Sequence, residues 1–255
     1  MKQQPRKRWI LGALAAVAVV ATGASVFSCS QTPISVPVRT FERAQRMDVV
    51  CLRVFDPLQG FPIVPQALPE SECDPVAPGV NGQFLVNQLF AVVTQSTRGE
   101  LAVVDLSAGA LIDQKRFTPG INFIPVGAIP TDVAVTPDGK MAFVASQEPN
   151  KPAIYGVSTT RIVGDAFGLP ADPQGTPTLT SWPVCALPQN PGAITIVPHT
   201  IVAGVDSAPY DIVVVLPGDR RSSAKVVMLD PRPFLRGALG PIAPKNPEEI
   251  GRAHV

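Results

Sequence analysis

Histidine and aromatic residues are scarce in this chain, and its charges almost cancel. The 255 residues include only two histidines, His199 and His254, and 6% aromatic residues. Two imidazoles are a poor supply for a histidine-built metal site or a histidine-based catalytic triad. A net charge of +1 gives no electrostatic reason to expect binding to nucleic acid. We therefore expect no nucleic-acid partner, no metal and no cofactor.

The short motifs that mark common catalytic sites are also missing. The sequence contains no glycine-rich phosphate loop, no Gly-x-Ser-x-Gly elbow and no Cys-x-x-Cys pair. The acids that are candidates for catalysis each lie beside a turn or a strand end, where a carboxylate accepts hydrogen bonds from backbone N–H groups. We expect structural roles for them, name no catalytic residue and favour a function other than catalysis. These acids are Asp105, Asp132, Asp138, Asp211 and Asp230.

The first 28 residues have the pattern of an export signal. Residues 1–8 carry four basic side chains and no acid, and residues 9–28 carry no charge. A basic segment followed by an apolar one is typical of a secretory signal. The sequence around Cys29, Val-Phe-Ser-Cys, resembles the lipobox of bacterial lipoproteins, although Phe27 replaces the usual small residue. This resemblance implies a lipid on Cys29, attachment to a membrane through that lipid and, with Ser30 next, sorting to the outer membrane.

Two alternatives to a lipid anchor stay open. The uncharged stretch is about as long as a bilayer is thick and could remain as a membrane anchor. An ordinary signal peptidase could instead cut after Ala24 or Ser28 and leave a periplasmic or secreted soluble protein. All three interpretations place the folded part outside the cytoplasm, at the outer membrane or in the periplasm.

Proline and glycine are abundant, with 29 and 20 residues, and long helical patterns are few, which favours an all-β fold. Residues 29–47 read as a tether, with one helical turn or none at Thr40–Met47. Asp48–Phe55 is the first convincing strand. The proline-rich residues 56–82 that follow exclude a helix and a central strand, so we expect a surface excursion.

Cys51 and Cys73 bracket this excursion. An exported chain can form disulfides, and a Cys51–Cys73 bond would close a loop that has little core of its own. We favour that pair, but connectivity does not follow from sequence, and Cys185 could pair with Cys73 instead. Cys185 could equally be a buried free thiol.

Pro130–Ser146 is the most informative stretch. Two short β-rich runs flank Thr136–Lys140, in which Pro137 presets φ, Asp138 tolerates the second corner and Gly139 supplies a positive φ. The phrase Pro-x-Asp-Val-Ala-Val-x-Pro-Asp-Gly-Lys-x-Ala-Phe-Val-Ala resembles the blade signature of YVTN/YncE-like β-propellers, relatives of the WD40 type. The resemblance makes Asp132, Pro137, Asp138 and Gly139 structural residues of a blade turn.

A strand–loop–strand unit recurs along the chain. It is predicted at Leu89–Thr94 with Gly99–Leu106, at Met141–Ser146 with Ala153–Ser158, and at Tyr210–Leu216 with Ala224–Asp230. Together with flanking strands such as Ile194–Val197, these units make about three blades, whereas closed propellers have about four to eight. We expect an all-β, incomplete propeller over residues 48–248 with proline-rich loop insertions, and Asp48–Phe55 pairing with an absent last blade. Such a chain either oligomerises or is part of a longer one.

The last residues support the second possibility. Ile-Gly-Arg-Ala-His-Val at 250–255 resembles the translation of a common sequencing adapter, so residues 249–255 are interpreted as a non-native tail. The expected function is that of a cell-envelope lipoprotein whose propeller binds or scaffolds an unidentified protein or glycan. One alternative is a propeller enzyme of lactonase or quinoprotein oxidoreductase type, with its site largely in missing blades. The other alternative is a structural surface protein.

Overall fold

The computed structural model describes most of the chain after residue 40. The described residues are 41–56, 61–73, 87–115, 120–163, 178–199, 209–218, 220, 222–235 and 241–242. The signal-like segment with Cys29, the tether up to residue 40 and the tail 249–255 lie outside them. All of the described residues belong to one compact unit of the chain. Within the described part, no helix is long and apolar enough to cross a bilayer.

The fold is all-β, as the composition predicts, with one short α-helix, α1 (Arg232–Leu235), and 3-10 turns at Glu70–Glu72, Thr159–Arg161 and Leu179–Ser181. The strands of the described residues are β1 (Ala44–Asp56), β2 (Phe61–Leu68), β3 (Asn87–Gln95), β4 (Glu100–Asp105), β5 (Ala110–Leu111), β6 (Ile124–Pro125), β7 (Pro130–Val135), β8 (Met141–Ser146), β9 (Ala153–Ser158), β10 (Val184–Ala186), β11 (Ile194–Pro198), β12 (Tyr210–Leu216), β13 (Lys225–Leu229) and β14 (Pro241–Ile242).

Three sheets are formed. Sheet 1 has the order β2-β1-β3-β4-β5, with β6 also paired to β4; sheet 2 has the order β14-β10-β9-β8-β7; sheet 3 has the order β11-β12-β13. All pairs are antiparallel except β10 with β14. The three predicted hairpins are confirmed as β3–β4, β8–β9 and β12–β13. Within the described residues none of the sheets closes on itself.

The sheets share one register. Val92 of β3 lies between Asp48 and Val103, and Ala145 of β8 lies between Asp132 and Ile154. In sheet 3, Val215 pairs with Val226, and its N–H donates to the Ala193 carbonyl oxygen at 2.9 Å. Asp48, Asp132 and Ala193 therefore occupy equivalent positions. The segments β1, β7 and Ala193–Pro198 are the first of the three equivalent strands in their sheets, and we call them the inner strands.

Successive sheets pack through apolar faces. One buried cluster joins sheets 1 and 2, and another joins sheets 2 and 3. Burial of each large aliphatic side chain contributes about 1.5–3 kcal/mol, so these two clusters hold the stack together. The first cluster includes Val50, Phe90, Val92, Val103, Val133, Val144 and Val157; the second includes Phe143, Ala145, Ile154, Ile194, Ile212, Val214 and Val227.

The N-terminal part of the described chain differs from the sequence-based expectation in two ways. Strand β1 begins at Ala44, inside the segment predicted as a tether, and the proline-rich excursion contains the strand β2. Pro62 and Pro65 are tolerated because β2 is an edge strand with β1 as its neighbour. The pairing of Asp48–Phe55 with an absent blade is wrong, because β1 lies inside sheet 1 between β2 and β3.

Candidate functional site

The turn between β7 and β8 is held by its own side chains. The Asp138 carboxylate accepts a hydrogen bond from the Thr136 hydroxyl at 2.6 Å and from the Lys140 N–H at 3.2 Å. The Thr136 hydroxyl oxygen accepts from the Met141 N–H at 3.1 Å. Gly139 has φ +71°, and a Cβ there would lie 2.1 Å from the Leu68 carbonyl oxygen of β2. Of the blade-turn residues named from sequence, Asp138 and Gly139 thus shape the turn.

A disulfide fastens the excursion to sheet 1. The Sγ atoms of Cys51 and Cys73 are 2.08 Å apart, and their Cα atoms are 5.7 Å apart. Cys51 lies in β1, and Cys73 directly follows the 3-10 turn Glu70–Glu72. Cys185 of β10 is a buried free thiol, and burial raises its pKa. A raised pKa lowers the thiolate fraction, which argues against a nucleophilic role for Cys185.

Two equivalent aspartates join neighbouring inner strands. The Asp48 carboxylate accepts from its own neighbour Val49 N–H at 2.9 Å and from Val135 N–H of β7 at 2.7 Å. The Asp132 carboxylate accepts from Val133 N–H at 3.0 Å and from Ile194 N–H of β11 at 2.9 Å. Each carboxylate therefore satisfies one donor in its own sheet and one in the next, and we call the pair the aspartate staples.

The inner strands of all three sheets line one cleft of about 770 Å³, which we call the inner cleft. Its floor comes from β1, β7 and β11, and the segment from Leu68 to Ser71 forms one wall. Exposed polar side chains reach it from the 3-10 turn and from the start of β1. The polar lining includes Arg46, Asp48, Glu70, Ser71, Asp132, Thr136 and Thr195.

The inner cleft has hydrogen-bonding groups, but both of its aspartates already accept hydrogen bonds from backbone N–H groups. Within the described ranges, no group of three or more His, Cys, Asp or Glu residues could hold a metal ion. His199 lies beside Asp211, with 3.3 Å between Nδ1 and Oδ2, and neither residue lines the cleft. The polar lining of the inner cleft can therefore bind a polar ligand through hydrogen bonds.

Two other acids considered as catalytic candidates, Asp105 and Asp230, make structural contacts. Asp105 accepts from the N–H groups of Ser107 and Ala108, and Asp230 pairs with Arg232 at 2.6 Å. Asp105 therefore stabilises the turn after β4, and Asp230 the start of α1. Neither lines the inner cleft.

Trp182, Phe123 and Tyr155 are buried and offer no exposed aromatic binding face. Trp182 donates from Nε1 to the Pro125 carbonyl oxygen at 2.9 Å, and the Arg161 guanidinium lies 5.1 Å from its ring centroid. Phe123 is buried in a small cluster on the far face of sheet 1. Tyr155 is also buried, and burial, with Glu148 nearby, raises its pKa to about 12. Trp182 and Tyr155 belong to the cluster between sheets 1 and 2 and stabilise that packing.

Sequence reasoning missed Asp48 and the wall from Leu68 to Ser71. The signal for Asp48 was available, since Asp48-Val49 matches Asp132-Val133 in the resembling stretch. The wall had no such signal, because it depends on where the disulfide and β2 place the excursion.

Comparisons with known proteins identify no family for the chain. No family model matches it, and no curated protein is significantly similar. Among solved structures it is similar to a chain of Kuenenia stuttgartiensis hydrazine synthase, with 16% identity and a TM-score of 0.28. The similarity covers 58% of this chain and 44% of that one, so the chain spans less than half of its length. A TM-score this low carries no argument about fold or function.

Proposed function

We propose that the chain is an exported binding module of the bacterial cell envelope, attached to the membrane through a lipid on Cys29. Its three sheets are consecutive blades of a β-propeller of the YVTN/YncE-like type. The common register of the three hairpins and the packing of each sheet on the next support this interpretation. The blade-like phrase at Pro130–Ser146 supports it independently.

The observation that carries the binding function is the convergence of three inner strands on one cleft. Its volume of about 770 Å³ falls within the range of about 300–1,000 Å³ that is usual for ligand sites. Ser71, Glu70 and Arg46 are exposed around it and can bond to a ligand. The two aspartates of the cleft are engaged in structural hydrogen bonds and are not needed as catalytic groups. Binding is therefore the simplest function for the cleft.

The ligand is a protein segment or a glycan. Both present many neutral hydrogen-bonding groups, which suit a cleft lined by hydroxyl, carboxylate and backbone groups. Neither requires a metal or a nucleophile.

Binding in the inner cleft is tested with a matched pair of substitutions. Ser71→Trp fills the cleft from its wall, whereas Ser107→Trp makes the same change at an exposed position that does not line the cleft. The purified mature protein is applied to glycan and peptide arrays, and each retained ligand is titrated by calorimetry. We expect Ser71→Trp to weaken binding at least about tenfold and Ser107→Trp to leave it unchanged.

Other outcomes identify the rival functions. Equal binding by both variants places the ligand outside the inner cleft. A chain with no saturable ligand fits a structural surface protein, and hydrolysis of a lactone panel fits the enzyme.

The anchor is tested separately. Mass spectrometry of the N-terminal peptide from membranes should show a diacylglyceryl group on Cys29, and Cys29→Ala should release the protein from the membrane. An N-terminus at Ser25, or at an unmodified Cys29, contradicts the lipid anchor.

A further inference from the structure

The two faces of sheet 3 differ sharply in burial. On the face toward sheet 2, Ile212, Val214 and Val227 are at most 2% exposed. On the opposite face, four apolar side chains of β11, β12 and β13 are 40–55% exposed, and a fifth, Val213, is half-buried. We call this the outer face of sheet 3; its apolar residues are Val197, Val213, Val215, Val226 and Met228, and the polar residues Thr195 and Asp211 lie on the same face.

The equivalent positions in the other two sheets are covered by the next sheet. Val215 and Val226 correspond to Ala145 and Ile154 in sheet 2, both 0% exposed and in the cluster shared with sheet 3. The same positions in sheet 1 are Val92 and Val103, at most 1% exposed and in the cluster shared with sheet 2. The outer face of sheet 3 therefore continues a packing series that is completed twice within the chain.

The far face of sheet 1 does not show the same exposure. Ala91, Val93 and Ala102 lie there, and Phe123 packs over them, so all are at most 8% exposed. Strand β13 also has no partner on its outer side among the described residues, whereas β4 pairs with β5 and β9 with β10. An apolar face next to an open strand edge is prone to association.

We propose that the outer face of sheet 3 is the docking surface for a fourth sheet of the same repeat, supplied by a strand–turn–strand unit that follows the third in the same polypeptide. The docking face of that unit carries aliphatic side chains at the positions that Ile194, Ile212 and Val214 hold in sheet 3, because those residues cover the equivalent face of sheet 2. Ala193 replaces the aspartate at the staple position, so apolar contact without a carboxylate staple holds this interface.

The coding sequence gives the first test. Source DNA is sequenced past the codon for Pro247. We expect the reading frame to continue into a strand–turn–strand unit with aliphatic residues at the three positions named above. A genomic stop codon directly after Val255, or a continuation without such a unit, overturns the proposal.

The second test places a charge on the outer face of sheet 3 in two chains. Val215→Lys is made in the 255-residue chain and in the chain extended by the next unit. Leu179→Lys, at a position that is 44% exposed and not part of this face, is the control. In the shorter chain we expect Val215→Lys to lower the fluorescence of the hydrophobic probe ANS about twofold and to leave Tm nearly unchanged.

In the extended chain we expect little ANS binding before substitution. There Val215→Lys should lower Tm by on the order of 10 °C, because the ammonium group is buried against the fourth sheet. Equal tolerance of Val215→Lys in both chains overturns the proposal. A discrete dimer of the shorter chain in sedimentation, dissociated by Val215→Lys and persisting in the extended chain, also overturns it, because a second copy would then occupy the face.

Discussion

Sheets 1 and 2 connect equivalent strands in very different ways. In sheet 2, β7 turns into β8 through Thr136–Lys140, while in sheet 1 residues 57–86 separate β1 from β3. The strands themselves keep the same register, because Val50 faces Phe90 as Ala134 faces Phe143. A blade of this stack therefore depends on the apolar pairing of its strands, and the connection at the end can vary.

The long connection of sheet 1 has a use that the short turn of sheet 2 lacks. Its β2 strand covers the edge of β1 from Cys51 to Asp56, and its disulfide holds the wall of the inner cleft. The Leu68 carbonyl also lies against Gly139, so the insertion of sheet 1 packs on the turn of sheet 2. The two connections therefore meet at one contact, between Leu68 and Gly139, and a substitution there tests how much that contact contributes to stability.

The largest loss of stability is expected from placing a methyl group at that contact. Gly139→Ala combines a positive φ with a Cβ that would meet the Leu68 carbonyl oxygen at 2.1 Å. We expect the free energy of unfolding, measured in urea, to fall by about 3 kcal/mol or more. Gly109→Ala is the matched control, because Gly109 has φ +64° and an added Cβ there would meet nothing within 4 Å. It should cost only about 1 kcal/mol; equal costs would mean that the contact with Leu68 contributes nothing.

Removing the disulfide should have the next largest effect. The bond joins residues 22 apart in sequence, and the combined change of Cys51→Ala and Cys73→Ala should lower the free energy of unfolding by about 3 kcal/mol. Amide exchange should rise in β2 and in Glu70–Glu72, while the β7–β8 hairpin stays protected. Cys185→Ala is the control for the loss of a buried sulfur. Uniformly faster exchange would show that the insertion is not a separate element.

The strand pairs could be predicted from sequence because each is specified locally. Short apolar runs at Met141–Ser146 and Tyr210–Leu216, bounded by turn residues, leave few other conformations. The strand β2 could not be predicted, since its prolines argue against a strand and only its place at the sheet edge permits it. Sequence proximity shows nothing about edges, which arise from tertiary pairing.

The candidate site was less accessible from sequence than the fold. The turn residues Asp138 and Gly139 follow from local chemistry, but the inner cleft joins residues from three sheets. Asp48 and Val135 are 87 residues apart, and Asp132 and Ile194 are 62 apart. No local pattern reports such contacts; the repeated Asp-Val pair indicates only that Asp48 and Asp132 are equivalent.

The smallest expected losses of stability are those at the aspartate staples, where sheets 1 and 2 can be compared most closely. Asp48→Ala and Asp132→Ala each remove two hydrogen bonds to a carboxylate and leave two backbone N–H groups without that acceptor. We expect each substitution to lower the free energy of unfolding by about 1–3 kcal/mol, with the two values alike, because the geometry is nearly the same. Asp230→Ala, which removes an exposed pair with Arg232 and one backbone hydrogen bond at the start of α1, should cost about 1 kcal/mol or less. A clearly smaller cost at Asp48 than at Asp132 would mean that the disulfide-held insertion, rather than the staple, fixes sheet 1 against sheet 2.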